Sequence, residues 1–280
     1  MSAHHARGTH SSLDVGAALL LTLLSMPSAL HAQTDYFNTD TGRPVRTEDA
    51  YPIERRAIEL QIAPLRVERS RAGTTRWGIE PEIAIGLFPR TQIEVGLPLV
   101  HVDGARAVRT TSVAALYNFN AETNWPALAI AADVLMPAKP LGPREAIPSL
   151  KAIATRTFPW ARMHVNAQVT FADDPSRNVG EAGVNTAMME FSRWTTGLAI
   201  DKWLPLRSML FTAEVVASQP LVATEKLRWD VAGGTRVQLS PRVAFDAGGG
   251  YRVAGEEPGW FLTTGAAFAI GMPWRNRGAR

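Results

Sequence analysis

The chain has 280 residues, a formal net charge of +3 and no cysteine. Without cysteine it can hold neither a disulfide nor a thiolate metal site. The near balance of 29 Lys and Arg against 26 Asp and Glu argues against the clustered basic surface of a nucleic-acid binder.

The first 32 residues read as an export signal. Arg7 and the amino terminus give a weakly positive start, Val15 to Leu24 is an apolar run of about ten residues, and Pro27 to Ala32 offers small residues for cleavage after Ala32. That run is too short to cross a bilayer as a helix. Beyond it, the longest apolar stretch, Trp125 to Ala138, is interrupted by Pro126, Asp133 and Pro137. If the exported chain spans lipid, only a closed β-barrel satisfies its backbone groups.

Residues 33–56 are polar and carry prolines. They read as a periplasmic leader, with a plug folded into the barrel as the alternative. From Ala57 onward the sequence is a string of alternating segments of about 10 to 13 residues, separated by turn chemistry. About twelve are predicted, at 57–67, 76–87, 91–100, 109–119, 126–136, 148–158, 162–172, 187–201, 208–217, 227–239, 242–252 and 260–272. In the first, Ile58, Leu60 and Ile62 share a face, whereas Leu65 and Val67 fall on the other, so a bulge or an early strand end is expected near Pro64. Segment 148–158 places Arg156 on its outer face near a turn, where a long side chain can reach water. Segment 162–172 alternates cleanly: Met163, Val165, Ala167, Val169 and Phe171 oppose Arg162, His164, Asn166, Gln168 and Thr170. Segment 227–239 does the same, with Trp229 and Val231 opposing Arg228, Asp230 and Arg236.

The connections alternate in character. One set is short and often marked by proline, as at Phe88-Pro89-Arg90, Pro159-Trp160-Ala161 and Ser240-Pro241; the other is longer, as at Pro137 to Ile147 and Asp173 to Thr186. Short turns on one side and long loops on the other are the pattern of an outer-membrane barrel, turns periplasmic and loops outside. Tryptophans 77, 125, 160, 203, 229, 260 and 274 fall in turns or near segment ends, where aromatic girdles meet the membrane interface. The last segment is greasy at Trp260, Leu262, Phe268 and Ile270 and small at Gly265, Ala267 and Ala269. Its run Thr263 to Ile270 resembles the final-strand pattern that outer-membrane barrels present to the barrel-assembly machinery. A basic tail, 275–280, follows.

Alternation turns a charged set inward: Glu59, Glu80, Glu82, Glu94, Asp133, Asp201, Glu214, Asp230 and Asp246 against Arg76, Lys151, Arg162, Arg193, Arg228, Arg236 and Arg252. The two signs nearly cancel, so the first expectation is salt bridging across the wall, without strong ion selectivity. Folding the hairpin about Pro89 brings Glu80, Glu82 and Glu94 to one face, and like charges this close need a basic partner, a proton or a cation. An arginine from a neighbouring strand is the favoured partner. His101 and His164 are the histidines of the exported part, with no serine near His164 in sequence, so catalysis is not expected. No metal, cofactor or nucleotide motif is expected either.

Residues Trp77 to Leu99 resemble the characteristic hairpin of the MetA-pathway-of-phenol-degradation family of outer-membrane proteins, often labelled simply transporters. In that family a glutamate-bearing strand turns into a strand of the form seen here at Gln92-Ile93-Glu94-Val95-Gly96-Leu97-Pro98. The resemblance implies an outer-membrane barrel over about 57–274 that moves small, hydrophobic or aromatic molecules.

The sequence therefore predicts an all-β, closed, antiparallel up-and-down barrel in the bacterial outer membrane. Its partners would be outer-membrane lipid, the assembly machinery and small solutes passing passively. The expected pore wall is Glu80, Glu82, Glu94, Arg162, His164, Arg228, Asp230 and Arg236, with loops 137–147 and 173–186 restricting access. A non-conducting structural or adhesive barrel is the alternative, and a membrane-embedded lipid hydrolase comes third.

Overall fold

The computed structural model describes residues 43–103, 108–138, 143–174, 191–204, 206 and 208–271. Fifteen strand segments form one sheet. They are β1 (Ala57–Ser70), β2 (Thr75–Ile79), β3 (Glu82–Phe88), β4 (Thr91–Gly96), β5 (Leu99–Val102), β6 (Val108–Arg109), β7 (Ser112–Asn118) and β8 (Ala127–Leu135). They continue as β9 (Ile147–Thr157), β10 (Arg162–Thr170), β11 (Ser192–Trp203), β12 (Met209–Pro220), β13 (Arg228–Ser240), β14 (Val243–Ala254) and β15 (Gly259–Gly271). Each of the pairs β2 with β3, β4 with β5 and β6 with β7 is one strand interrupted midway. The wall is thus a closed antiparallel barrel of twelve strands, sealed by β1 against β15 from Ala57↔Gly271 to Ser70↔Gly259. No helix occurs among the described residues.

The side chains that alternation turned outward are the exposed ones. Val165, Val169, Leu198, Phe211, Val231, Phe245 and Leu262 all lie open on the outer face, while the polar residues between them are covered. A β-sandwich would bury these apolar side chains between sheets, so the closed cylinder inverts the usual soluble arrangement. At the short-turn end Phe88, Phe119, Trp125, Trp160 and Trp203 are exposed; at the other end stand Phe171, Trp194, Trp229 and Trp260. Arg156 reaches the turn-side rim as expected, its guanidinium donating to the Thr123 carbonyl at 2.6 Å beside Glu122.

Three predicted segments prove discontinuous, and their breaks line up. The slip between Ile62 and Leu65 in β1 lies beside Glu80-Pro81, which lies beside Leu97-Pro98, which lies beside Thr110-Thr111. Proline has no N–H to give to a ladder and interrupts strands for that reason. Single bonds still cross the breaks, from Leu97 N–H to the Pro81 carbonyl at 2.9 Å and from Thr110 N–H to the Pro98 carbonyl at 3.0 Å. The bulge expected near Pro64 is present, and it reverses the phase of β1 so that Arg66 and Glu68 turn inward beyond it.

Two further expectations need correction. Arg193 is exposed, because β11 slips by a residue against β12 between Ser192 and Trp194 and puts Ser192 on the inner side. The described part of the leader does not lie outside the wall: residues 43–53 pass through the lumen. Their polar backbone and side chains match a charged interior better than they would match open solvent, because the interior acids and bases need partners.

Candidate functional site

Residues 43–53 touch the inward side chains of nine strands. Arg43 Nη1 meets Asp246 of β14 at 3.3 Å and its Nη2 lies 3.7 Å from Glu59 of β1. Arg46 Nη1 meets Asp230 of β13 at 3.0 Å. Glu214 of β12 accepts from the Arg46 N–H at 2.9 Å, the Thr47 N–H at 2.8 Å and the Thr47 hydroxyl at 2.8 Å. Glu48 pairs with Lys151 of β9 at 2.6 Å, and Asp49 lies 3.7 Å from Arg162 of β10. The Ala50 N–H donates to Thr155 Oγ1, the Ala50 carbonyl accepts from Asn118 of β7, and the Ile53 N–H donates to Gln92 of β4. Β11 contributes space: a Cβ on Gly197 would meet Thr47 Oγ1 at 2.5 Å. Ala50 also packs with Leu116, Ala127, Ala129 and Ile153, the small apolar cluster of the interior. Burial, with the nearby Glu122 carboxylate, pushes the Tyr51 phenol up to about 12, so it stays protonated and donates to Glu122 at 3.4 Å.

All eight expected pore-wall residues turn to this interior, yet they divide into three settings. Asp230, Arg236 and His164 are fully covered. Asp230 takes Arg46 and also Arg252 at 3.1 Å, and Arg236 stands opposite Asp246 in the β13–β14 register. Arg162 is gripped by Asp201 through Nε at 3.0 Å and Nη2 at 2.7 Å. These four residues tie the wall to itself and to the leader, and none of them borders the two cavities described below. Glu80, Glu82 and Glu94, by contrast, border a cavity of about 290 Å³ together with Asp133, Ser149 and Lys151. The hairpin register is as expected, Glu82↔Gly96 and Ala84↔Glu94. The favoured arginine partner is not what meets Glu80, which accepts instead from the Ser112 hydroxyl at 3.0 Å. Gln92 donates to Glu94, and Lys151 is the base that borders the cavity. No group of three or more acids or histidines placed to hold a metal is found among the described residues. Arg228, paired with Glu225, borders a second cavity of about 360 Å³ toward the long-loop end. Lys151, Gln168, Val100 and Phe191 border both spaces.

His164 has an arrangement that invites a catalytic reading. Thr155 Oγ1 lies 3.0 Å from its Nδ1 and Asp201 Oδ2 lies 2.9 Å from its Nε2, the connectivity of a nucleophile, a base and an orienting acid. The geometry does not serve one. Thr155 and His164 are at 0 % exposure, and Thr155 Oγ1 already accepts the Ala50 N–H, so no carbonyl can approach it. His164 here is a structural crosslink between β9, β10 and β11.

Sequence reasoning missed the leader's Arg43, Arg46, Glu48 and Asp49, and the pair Arg66 and Glu68 at the far end of β1. The second pair carried a usable signal: the phase change at Pro64, followed through, turns both inward. The leader carried none, since its partners are as many as 203 residues away. Of the two long loops, 173–186 lies outside the described residues after Asp174, and 137–147 lies outside them at 139–142.

No protein-family model and no curated protein matches the sequence. Among solved structures, the chain is similar to the COG4313 outer membrane channel from Pseudomonas putida F1, with a TM-score of 0.52 and 9% identity over 83% of this chain and 100% of that one. The KdgM porin matches at a TM-score of 0.45 and 10% identity, covering 76% of this chain and 98% of its own. At these identities the likeness is one of fold, that of bacterial outer-membrane barrels.

Proposed function

We propose that the protein is a passive channel of the bacterial outer membrane for small solutes, with hydrophobic or aromatic molecules among them. The observation that carries this reading is the pair of neighbouring cavities, about 360 and 290 Å³, inside a closed wall with an apolar exterior. The leader would narrow the passage between them. The hairpin at Trp77 to Leu99, with its resemblance to the MetA-pathway family, supports aromatic solutes. The export signal and the final-strand pattern support delivery to the assembly machinery. Planar-bilayer recordings on the full chain test the proposal, with discrete conductance steps expected and flux of small aromatics into liposomes alongside them. A folded, inserted protein that passes neither ions nor aromatics would refute it.

One observation favours a second reading, a barrel that does not conduct. The leader's ion pairs and hydrogen bonds cross the lumen from β14 to β4, and such a network can serve rigidity alone. Swelling of liposomes in small sugars separates the two, since only an open passage responds.

A further inference from the structure

The larger cavity has a composition unlike the rest of the lumen. Among the described residues, five basic side chains border it, Arg46, Arg66, Arg76, Lys151 and Arg228, and a single acid, Glu68. Glu68 is shared. Arg66 donates to it, Arg76 lies at 3.7 Å, Arg252 at 3.8 Å and Arg46 at 3.9 Å, so several guanidiniums converge on one carboxylate. Within this group Arg66 is held flat, its guanidinium carbon 3.7 Å above the Phe261 ring. A stacked guanidinium keeps its edge free for a planar acceptor. The Arg66 Nη2 is buried and has no acceptor among the described residues, a state that costs stability unless something else accepts from it. Arg46, on the leader, remains partly exposed at 31% of its side chain. Val100, Phe191 and Val216 supply apolar surface beside these cations.

We infer that this cavity is a binding site for a small monocarboxylate with a flat apolar body, its carboxylate on Arg66 and Arg46 and its body against Val100, Phe191 and Val216. A carboxylate matches the guanidinium fork with two parallel hydrogen bonds, which a neutral ring compound cannot offer. The volume falls within the range of about 300 to 1,000 Å³ common for small-molecule sites. The inference specifies a solute class for the channel reading and rests on it only for biological meaning, since binding is measured without flux.

The test uses the full chain folded in detergent, titrated by calorimetry at low ionic strength with benzoate and with benzyl alcohol, its uncharged counterpart. Benzoate is expected to saturate one site and to bind about ten-fold or more tighter than benzyl alcohol, as one charge-assisted pair requires. Arg66→Gln should weaken benzoate by a similar factor and leave benzyl alcohol unchanged. Arg46→Gln lies outside the wall strands and gives the same reading should Arg66→Gln fail to fold, which heat-modifiable migration on a gel reports. Equal binding of the two compounds, no saturable benzoate binding, or unchanged benzoate affinity in the folded variants would overturn the site. A protein that conducts without binding benzoate defeats this inference alone; one that binds benzoate and passes nothing defeats the channel reading alone.

Discussion

Two stretches of the wall use their inward carboxylates in opposite ways. From β9 to β14 the strands run unbroken, and Asp201, Glu214, Asp230 and Asp246 each meet a cation or a backbone N–H, mostly from the leader. From β2 to β7 the strands break midway, and Glu80, Glu82 and Glu94 border a cavity instead. The same residue type thus closes the lumen on one side and lines open space on the other. What differs is where the leader brings its cations and N–H groups: residues 43–50 give Arg43, Arg46 and Thr47 to the unbroken side, whereas on the broken side Ala50 meets Asn118 and Leu116 and Ile53 meets Gln92, near the turn end. An inward acid becomes a strut where a cation or a leader N–H comes to it.

The largest effect that would break this contrast is removal of the leader. Deleting residues 43–53 should raise single-channel conductance well above that of the full chain, because it empties the half of the lumen that the ion pairs fill; unchanged conductance would show that the leader does not lie on the permeation path. Next comes the apolar exterior, taken on both stretches. Leu198→Arg in β11 should lower unfolding stability in lipid by about 2 to 4 kcal/mol, the cost of a cation near the bilayer midplane. Leu97→Arg at the break should cost the same, and a cost below about 1 kcal/mol there would mean that water reaches the break.

Glu214→Ala follows in size. It removes the acceptor of two backbone N–H groups and a hydroxyl, and each buried donor left unpaired costs about 1 to 3 kcal/mol. The leader should detach more often, read as faster tryptic cleavage after Arg46 with the wall intact. The smallest effect is a steric one. Gly197→Ala should loosen the leader modestly in the same assay, since its Cβ crowds Thr47 Oγ1. Adding Thr47→Ala removes the clash but also one hydrogen bond to Glu214, so the double variant should cleave no faster than Thr47→Ala alone.

Much of the site's makeup was legible beforehand, though its arrangement was not. The trio Glu80, Glu82 and Glu94 followed from hairpin register, because antiparallel pairing about a short turn leaves little choice of partner. Its surroundings did not follow: Ser112 and Lys151 come from strands whose positions depend on closure of the whole wall. Asp230, Arg236 and His164 were correctly turned inward by alternation, yet alternation says nothing about whether an inward group meets space or another chain segment. Pro81 and Pro98 could have been read as ladder breaks, but the apolar rhythm runs through both, and Thr110-Thr111 gave no sign at all.

By itself, the sequence determined a strand-built cylinder with an apolar outside and a charged inside, because a period of two and the lengths of connections are local properties that each segment carries within itself. Only the tertiary structure decided where the leader goes, which carboxylates it satisfies and where the strands yield. Those outcomes depend on charges far apart in the chain meeting across a closed lumen, and neither spacing nor periodicity encodes such meetings.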